Sequence, residues 1–182
     1  MKNEGNQTRH DFKEIDAGNW QTVDQQTARW MQMTGVIKTQ EEWVDYYLRA
    51  QLKPSIPREI VTLLEVARGD MIYGWFFYPL LTLGAEQCWR VLESGVRFRC
   101  RQVGIQTERI ARSGRKDYAS FSENTNALLE RNLAGKFDKS CWDSVRNLRN
   151  STSHPDQQFI MDPEQARRVV EITVHSLNDL FP

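Results

Sequence analysis

Apolar residues recur along most of the chain at the three- and four-residue spacing that places them on one face of an α-helix. Residues 39–52 show this pattern clearly, with an inner face made of Trp43, Tyr46, Tyr47 and Ala50. The same spacing predicts further helices over 57–69, about 70–103, 123–135, 138–151 and from 163 to the C-terminus. These segments together predict an all-α fold, a bundle of about five to seven helices.

Residues with capping and breaking tendencies predict where the first helices begin and end. Thr39 and Glu42 form a capping-box pattern at the start of the 39–52 segment. Ser55 is the expected cap of the next helix, and Gly69 is its expected stop. Pro79 predicts a kink or a break inside the long segment that follows, because proline cannot donate a helical hydrogen bond.

The last two helices carry start signals of their own. Asp138 or Ser140 is expected to cap the helix over 138–151. The inner face of that helix should hold Trp142, Val145 and Leu148. Asp162 is a good N-cap, and Pro163 after it suits the first helical position, so the final helix should begin there.

The segments between and before the helices are expected to be loops or flexible ends. Residues 107–123 are polar and turn-rich around Gly114, which predicts a flexible loop. The alternation in 96–103 resembles an edge strand, but no second strand pattern offers a partner, so a helix is preferred. Residues 1–18 are expected to be flexible, and residues 19–182 to form a single domain.

The distribution of apolar residues and cysteines predicts a cytoplasmic protein that does not enter a membrane. The first residues lack the apolar core of a secretory signal. The most apolar run, 71–85, is shorter than the roughly 20 residues of a membrane helix, so we expect a buried core helix there. Cys88, Cys100 and Cys141 have no paired spacing and are expected to be buried, reduced thiols.

Charge is unevenly placed in a chain whose net charge is zero, with 24 basic and 24 acidic residues. The segment 90–116 holds eight basic residues and two acidic ones, a net charge of +6. Such a segment favours an anionic partner, nucleic acid above all. The alternative is a solvated surface, or ion pairs with acidic residues elsewhere in the chain. The sequence contains neither a glycine-rich phosphate loop nor a familiar metal-ligand motif.

The stretch SVRNLRNSTSHPD, residues 144–156, concentrates chemically useful side chains at the expected end of a helix. Arg146, Arg149 and Asn150 would share one helical face, because they lie three and four residues apart. His154 lies five residues after Arg149, so an unbroken helix would point these two side chains apart. Serine, threonine and proline should end the helix near 151–153, which would let His154 turn back toward Arg149.

This stretch resembles the HEPN superfamily, whose hallmark is an arginine, a polar residue, three further residues and a histidine. In this chain the motif reads Arg149-Asn150-Ser151-Thr152-Ser153-His154. The resemblance implies a helical ribonuclease that needs no metal or other cofactor and works as a homodimer, with two motifs in one composite site. It also implies a toxin, an antiviral defence nuclease or an RNA-processing enzyme, with a possible antitoxin or regulatory partner.

The chemistry of these side chains fits RNA cleavage by the 2′-hydroxyl group. Histidine exchanges protons near neutral pH, so His154 can serve as base or acid. Arginine stays charged and binds phosphate oxygens in a fork, which suits Arg149 to the transition-state charge. Asn150 would orient the phosphate or the imidazole. Additional RNA contacts are expected from four basic residues: Arg146, Arg112, Arg115 and Lys116.

Two other interpretations of the motif remain open. In a purely structural one, His154 caps the preceding helix, and Arg149 pairs with a nearby carboxylate, the candidates being Asp143, Asp156 and Asp162. In the other, the chain is a non-catalytic HEPN-like module that binds a nucleotide or a protein partner. The remaining histidines are weaker candidates for catalysis, since His10 lies in the expected flexible segment and His175 lies in the final helix.

Overall fold

The computed structural model describes residues 13–110, 114–136, 138–152 and 160–182, and these residues form seven helices and one short hairpin. The elements are, in chain order, α1 (Gln25–Thr34), α2 (Gln40–Leu48), α3 (Arg58–Tyr73), α4 (Leu80–Gln102), β1 (Glu108–Ile110), β2 (Lys116–Tyr118), α5 (Phe121–Glu130), α6 (Lys139–Thr152) and α7 (Pro163–Leu180). The predicted all-α bundle of five to seven helices is confirmed.

Helix α4 is the centre of the bundle. It packs against α3, α5, α6 and α7, and its inner side chains are fully buried from Leu81 to Cys100. Glycines let the neighbouring helices approach closely. A Cβ atom at Gly84 would lie 2.8 Å from the carbonyl oxygen of Ala67 in α3, and one at Gly95 would collide with Leu177 in α7.

An aromatic cluster joins the first helices to the bundle. Trp43 of α2 is completely buried, and its indole nitrogen donates to the carbonyl oxygen of Ile72 at 3.1 Å. Its ring packs edge-on against Tyr47, whose hydroxyl donates to the carbonyl oxygen of Pro163 at 3.3 Å. The inner face predicted for residues 39–52 therefore connects α2 both to α3 and to the start of α7.

A polar cluster strengthens the contact between α2 and α7. The hydroxyl of Tyr46 donates to Glu164, which also pairs with Arg167 at 2.8 Å. The Arg167 guanidinium, followed by the Tyr46 hydroxyl, lowers the pKa of Glu164 to about 2. Burial, with the nearby carboxylate of Glu164, raises the pKa of Tyr46 to about 12.

Most of the predicted helix starts are confirmed. The Thr39 side chain accepts a hydrogen bond from the Glu42 amide. Asp138 caps α6, because its carboxylate accepts from the Cys141 amide at 2.9 Å, whereas Ser140 lies inside the helix. Asp162 is the N-cap of α7 in a capping box, with proline at the first helical position as predicted.

The cap and the end predicted for α3 are wrong, whereas its start near residue 57 is confirmed. Pro57 occupies the N-cap position, and the Ser55 hydroxyl instead donates to the carbonyl oxygen of Phe181 at 3.1 Å. The helix continues through Gly69 to Tyr73. It continues because buried residues such as Met71 extend its inner face beyond the glycine, and this packing outweighs the lower helix propensity of glycine.

The apolar run 71–85 is not the single buried helix predicted for it. It contains the end of α3, a turn and the start of α4, and Pro79 is the N-cap of α4, which confirms the predicted break. No helix among the described residues has the length and apolar character needed to cross a membrane.

The segment 107–123 is more ordered than the flexible loop predicted for it. Its described residues form an antiparallel hairpin, with Glu108 paired to Tyr118, and then the first turn of α5. The strands have only three residues each and lack alternating apolar residues, so their sequence gave no strand signal. The alternating stretch 96–103 is helical up to Gln102, as preferred.

Two further expectations are settled only in part. Residues 1–12 of the segment predicted to be flexible lie outside the described residues, while Lys13 donates to the carbonyl oxygen of Thr22 at 2.8 Å. Cys88 and Cys100 are buried as predicted. The prediction for Cys141 is wrong, since this thiol is exposed in the first turn of α6.

Replacing Gly84 by alanine should destabilise the protein by about 1–3 kcal/mol, because the new methyl group would meet the α3 backbone at Ala67. Gly69→Ala in α3 is the matched control, since no atom lies within 4 Å of its added Cβ. That variant should gain about 0.5–1 kcal/mol from helix propensity. Urea unfolding of the two variants checks both signs, and equal stabilities would contradict the close contact of α3 and α4.

The cluster around Glu164 should make stability depend on pH. A carboxylate with a lowered pKa stabilises the fold fully above its ordinary value near 4.5 and loses this contribution as pH falls toward about 2. Glu164→Gln should therefore be less stable than the wild type at pH 7, with the difference shrinking between pH 4.5 and 2. Urea unfolding at several pH values measures this, with Glu130→Gln, an exposed position in α5, as control.

Candidate functional site

Helix α6 carries the motif arginine on the side of the bundle. Trp142 and Val145 are buried, and the ring centroid of Trp142 lies 5.9 Å from that of Phe121 in α5. This packing fixes the rotation of α6 about its own axis. Arg149 follows in the last described turn, with its side chain 42% exposed. The guanidinium therefore lies partly exposed in the last described turn of α6.

A carboxylate from the central helix holds the Arg149 guanidinium. Nη2 of Arg149 lies 3.1 Å from Oε2 of Glu93 in α4. The other carboxylate oxygen of Glu93 accepts from Arg97, one turn further along α4, also at 3.1 Å. Since one carboxylate serves two guanidinium groups, this group of three side chains keeps a net charge of +1. The contact ties the motif to the most buried helix of the bundle.

The other predicted residues of α6 lie on or near the same surface. Arg146 donates to the hydroxyl of Ser122 in α5 at 3.1 Å and pairs with Asp143 at 3.3 Å. Asn150 is exposed beside Arg149. The structure thus brings Arg146, Arg149 and Asn150 together at the outer end of α6.

His154 and Arg112 lie outside the described residues. The helix is described through Thr152, inside the range 151–153 where its end is expected. The end itself and the approach of His154 to Arg149 stay predictions. Asp156, one of the partners considered for Arg149, also lies in this undescribed segment.

Ion pairs neutralise part of the basic segment 90–116. Among its described residues, Arg97 pairs with Glu93, Arg101 with Glu108, Arg109 with Glu123, and Lys116 with Glu108. Lys116 is nevertheless 71% exposed and lies 3.7 Å from its carboxylate, and Arg115 is exposed. The intramolecular pairing considered as an alternative is therefore real, although the two predicted RNA contacts remain accessible.

Leu148 lies where the sequence did not place it. This residue, expected on the inner face of α6, is 46% exposed. Trp142, by contrast, is buried on the inner face as predicted. His175 lies in α7, as the sequence indicates, and is exposed there. The face of α6 that packs inward is thus narrower than predicted.

Glu93 is the residue of this site that the sequence analysis missed. Its spacing of four residues from Arg97 does predict an ion pair within α4. Its partner in the motif, Arg149, lies 56 residues further along the chain, and no local pattern joins the two. Only the packing of α6 beside α4 brings them together.

The described residues offer no metal site, because no cluster of three or more His, Cys, Asp or Glu side chains occurs among them. Comparison of the chain with protein-family models, with curated proteins and with solved structures found no match. The resemblance to the HEPN superfamily therefore rests on the motif residues themselves.

A double-mutant cycle should detect the contact between Glu93 and Arg149. For a partly exposed pair we expect a coupling energy of roughly 0.2–1 kcal/mol between Glu93→Ala and Arg149→Ala. Urea unfolding of the two single variants and the double variant measures it. A cycle between Glu93→Ala and Arg168→Ala is the control, because Arg168 pairs with Glu164 in α7. Strict additivity in the first cycle would contradict the ion pair.

Proposed function

We propose that this chain is a metal-independent endoribonuclease of the HEPN type, with Arg149, Asn150 and His154 as its catalytic residues. The observation that supports the proposal most is the placement of Arg149. Its guanidinium is partly exposed at the end of α6 and is held by a carboxylate from the central helix. An arginine with a fixed position can stabilise charge as it develops on a phosphate, without first having to be ordered.

The reaction assigns a separate task to each motif residue. The 2′-hydroxyl of RNA attacks the adjacent phosphorus, and the bond to the 5′-oxygen of the next nucleotide breaks. His154 takes the proton of the attacking hydroxyl or supplies the proton of the leaving oxygen. Arg149 binds the non-bridging oxygens of the phosphorane through charged hydrogen bonds. Asn150, exposed beside it, orients the phosphate or the imidazole.

A homodimer would supply the second proton carrier. Each chain brings one motif histidine, whereas the attack and the departure each need a proton transfer. Two motifs that face each other across a two-fold axis would provide two imidazoles and two guanidinium groups. Leu148, exposed next to Arg149, is the apolar residue that we assign to the interface.

The second candidate function is a non-catalytic helical module that binds a nucleotide or a protein. The ion pair of Arg149 with Glu93 favours it, because an arginine with a purely structural role would also be held by a carboxylate. The two functions differ in whether RNA is cut and in whether His154 is required.

Purified protein should cleave RNA in the presence of EDTA and leave 2′,3′-cyclic phosphate ends. His154→Ala should lower the rate by roughly 10²–10⁴-fold through loss of the proton carrier. Arg149→Ala should lower it by roughly 10²–10³-fold through loss of charge stabilisation. Cleavage assays on a defined oligoribonucleotide, with mass analysis of the products, measure both effects. A deoxyribose at the cleaved position should stop the reaction, because it removes the nucleophile.

Matched variants separate chemistry from folding. His175→Ala removes an exposed histidine of α7, and Arg168→Ala an exposed arginine of the same helix, so both should keep wild-type rates. Sedimentation velocity at the assay concentrations shows whether the active species is the dimer. Activity that depends on added magnesium, or cleavage of DNA, would refute the mechanism. Intact RNA with the wild-type protein would leave the binding module as the better account.

A further inference from the structure

The hairpin exposes an aromatic ring next to the proposed site. Tyr118, the last residue of β2, is 49% exposed, and the Cζ atom of Arg97 lies 5.5 Å from the centre of its ring. Paired residues of an antiparallel hairpin share a face, so Tyr118 lies beside Glu108, with the pair of Ile110 and Lys116 next along that face. This face carries an aromatic and an aliphatic side chain that are both exposed to solvent.

A continuous row of contacts connects this ring to the motif. Tyr118 contacts Arg97, which shares the carboxylate of Glu93 with Arg149. One turn beyond Arg97, Arg101 pairs with Glu108 at 2.8 Å, and Glu108 also meets Lys116. We name this surface the α4 stripe, and its residues are Glu93, Arg97, Arg101, Glu108, Lys116, Tyr118 and Arg149. Four cations and two carboxylates give it a net charge of +2.

We propose that single-stranded RNA binds along the α4 stripe and that a base of this RNA stacks on Tyr118. The inference rests on the proposed function, because it takes the strand to be the one that Arg149 acts on. The net positive charge suits a polyanion. An exposed aromatic ring can stack with any unpaired base. Arg97 holds the Tyr118 ring in place by a cation–π contact with one of its faces.

The same geometry specifies the form of the RNA. Bases in a duplex are stacked on each other and paired, so they cannot reach a single ring on a protein surface. A strand that places one base on Tyr118 and a phosphate at Arg149 must be unpaired between the two. Tyr118 therefore acts in positioning the substrate rather than in the chemical step.

The test measures binding of a fluorescein-labelled 2′-O-methyl oligoribonucleotide of mixed sequence to the full chain by fluorescence anisotropy. This probe lacks the attacking hydroxyl, so binding is observed without cleavage. Tyr118→Ala should weaken binding about 5- to 150-fold, the range for loss of one base–aromatic stack. Tyr118→Leu should weaken it similarly, because leucine keeps apolar bulk but offers no π-face.

Matched controls isolate the stacking contribution. Tyr118→Phe keeps the ring and should bind within about twofold of the wild type. Ile110 is exposed on the same face of the hairpin, and Ile110→Ala should change the dissociation constant less than about threefold. A plot of the logarithm of the association constant against the logarithm of the salt concentration has a negative slope. Lys116→Gln should reduce the magnitude of this slope by about 0.7 if the lysine contacts one phosphate.

The outcomes distinguish this inference from the proposed function. Binding that depends on Tyr118, together with a wild-type protein that cuts no RNA, supports the stripe and refutes the nuclease. Cleavage by a Tyr118→Ala variant with unchanged dissociation constant and KM refutes the stripe and leaves the nuclease standing. Equal affinity for duplex RNA also overturns the inference. So does self-association that requires Tyr118 while RNA binding does not, which would make the hairpin an interface between copies of the chain.

Discussion

The burial of α4 is the constraint on which the rest of this structure depends. Four other helices pack against it, and two of its glycines lie where a larger side chain would meet a neighbour. Helices that pack this closely gain dispersion contacts along their whole interface, and small residues set the distance between their axes. Because α3 and α7 are fixed on one part of its surface, the remaining part is left for α5, α6 and the hairpin.

The outer face of α4 carries the side chains that position the proposed site. Glu93, Arg97 and Arg101 repeat every four residues, so they form one row along the helix. Each contacts an element that comes later in the chain: Glu93 contacts α6 through Arg149, Arg97 contacts β2 through Tyr118, and Arg101 contacts β1 through Glu108. A single helix thereby sets the position of α6 relative to the hairpin of β1 and β2, which has few contacts with α6.

Much of the fold follows from local sequence, because helical periodicity and capping residues act within a few positions of each other. Thr39 and Asp162 mark helix starts with side chains that bond amides three residues away, and such signals are visible without a structure. The end of α3 is different. A glycine such as Gly69 ends a helix only if no packing stabilises the turns beyond it. Here the turns after Gly69 pack against residues of α4, so the helix continues.

In the candidate site, too, some residues can be predicted from local sequence and others depend on tertiary packing. Arg146, Arg149 and Asn150 share a surface because they lie on one helix, so their spacing alone predicts the arrangement. The carboxylate that holds Arg149 and the ring that contacts Arg97 come from distant positions in the chain. The hairpin that carries this ring has strands too short and too polar for a recognisable pattern. Contacts of this kind depend on tertiary packing, which sequence periodicity does not encode.

Helix α6 buries few side chains of its own, so its local stability should be lower than that of the rest of the bundle. Among residues 139–150 only Trp142 and Val145 are buried, whereas α4 buries residues along its entire length. Local opening of α6 therefore costs much less free energy than unfolding of the whole bundle. We therefore expect its amide hydrogens to exchange with solvent through this local route. A ligand that bridges Arg149 to α4 is expected to slow exchange in α6 more than in the rest of the bundle, so exchange in this helix would report occupancy of the site.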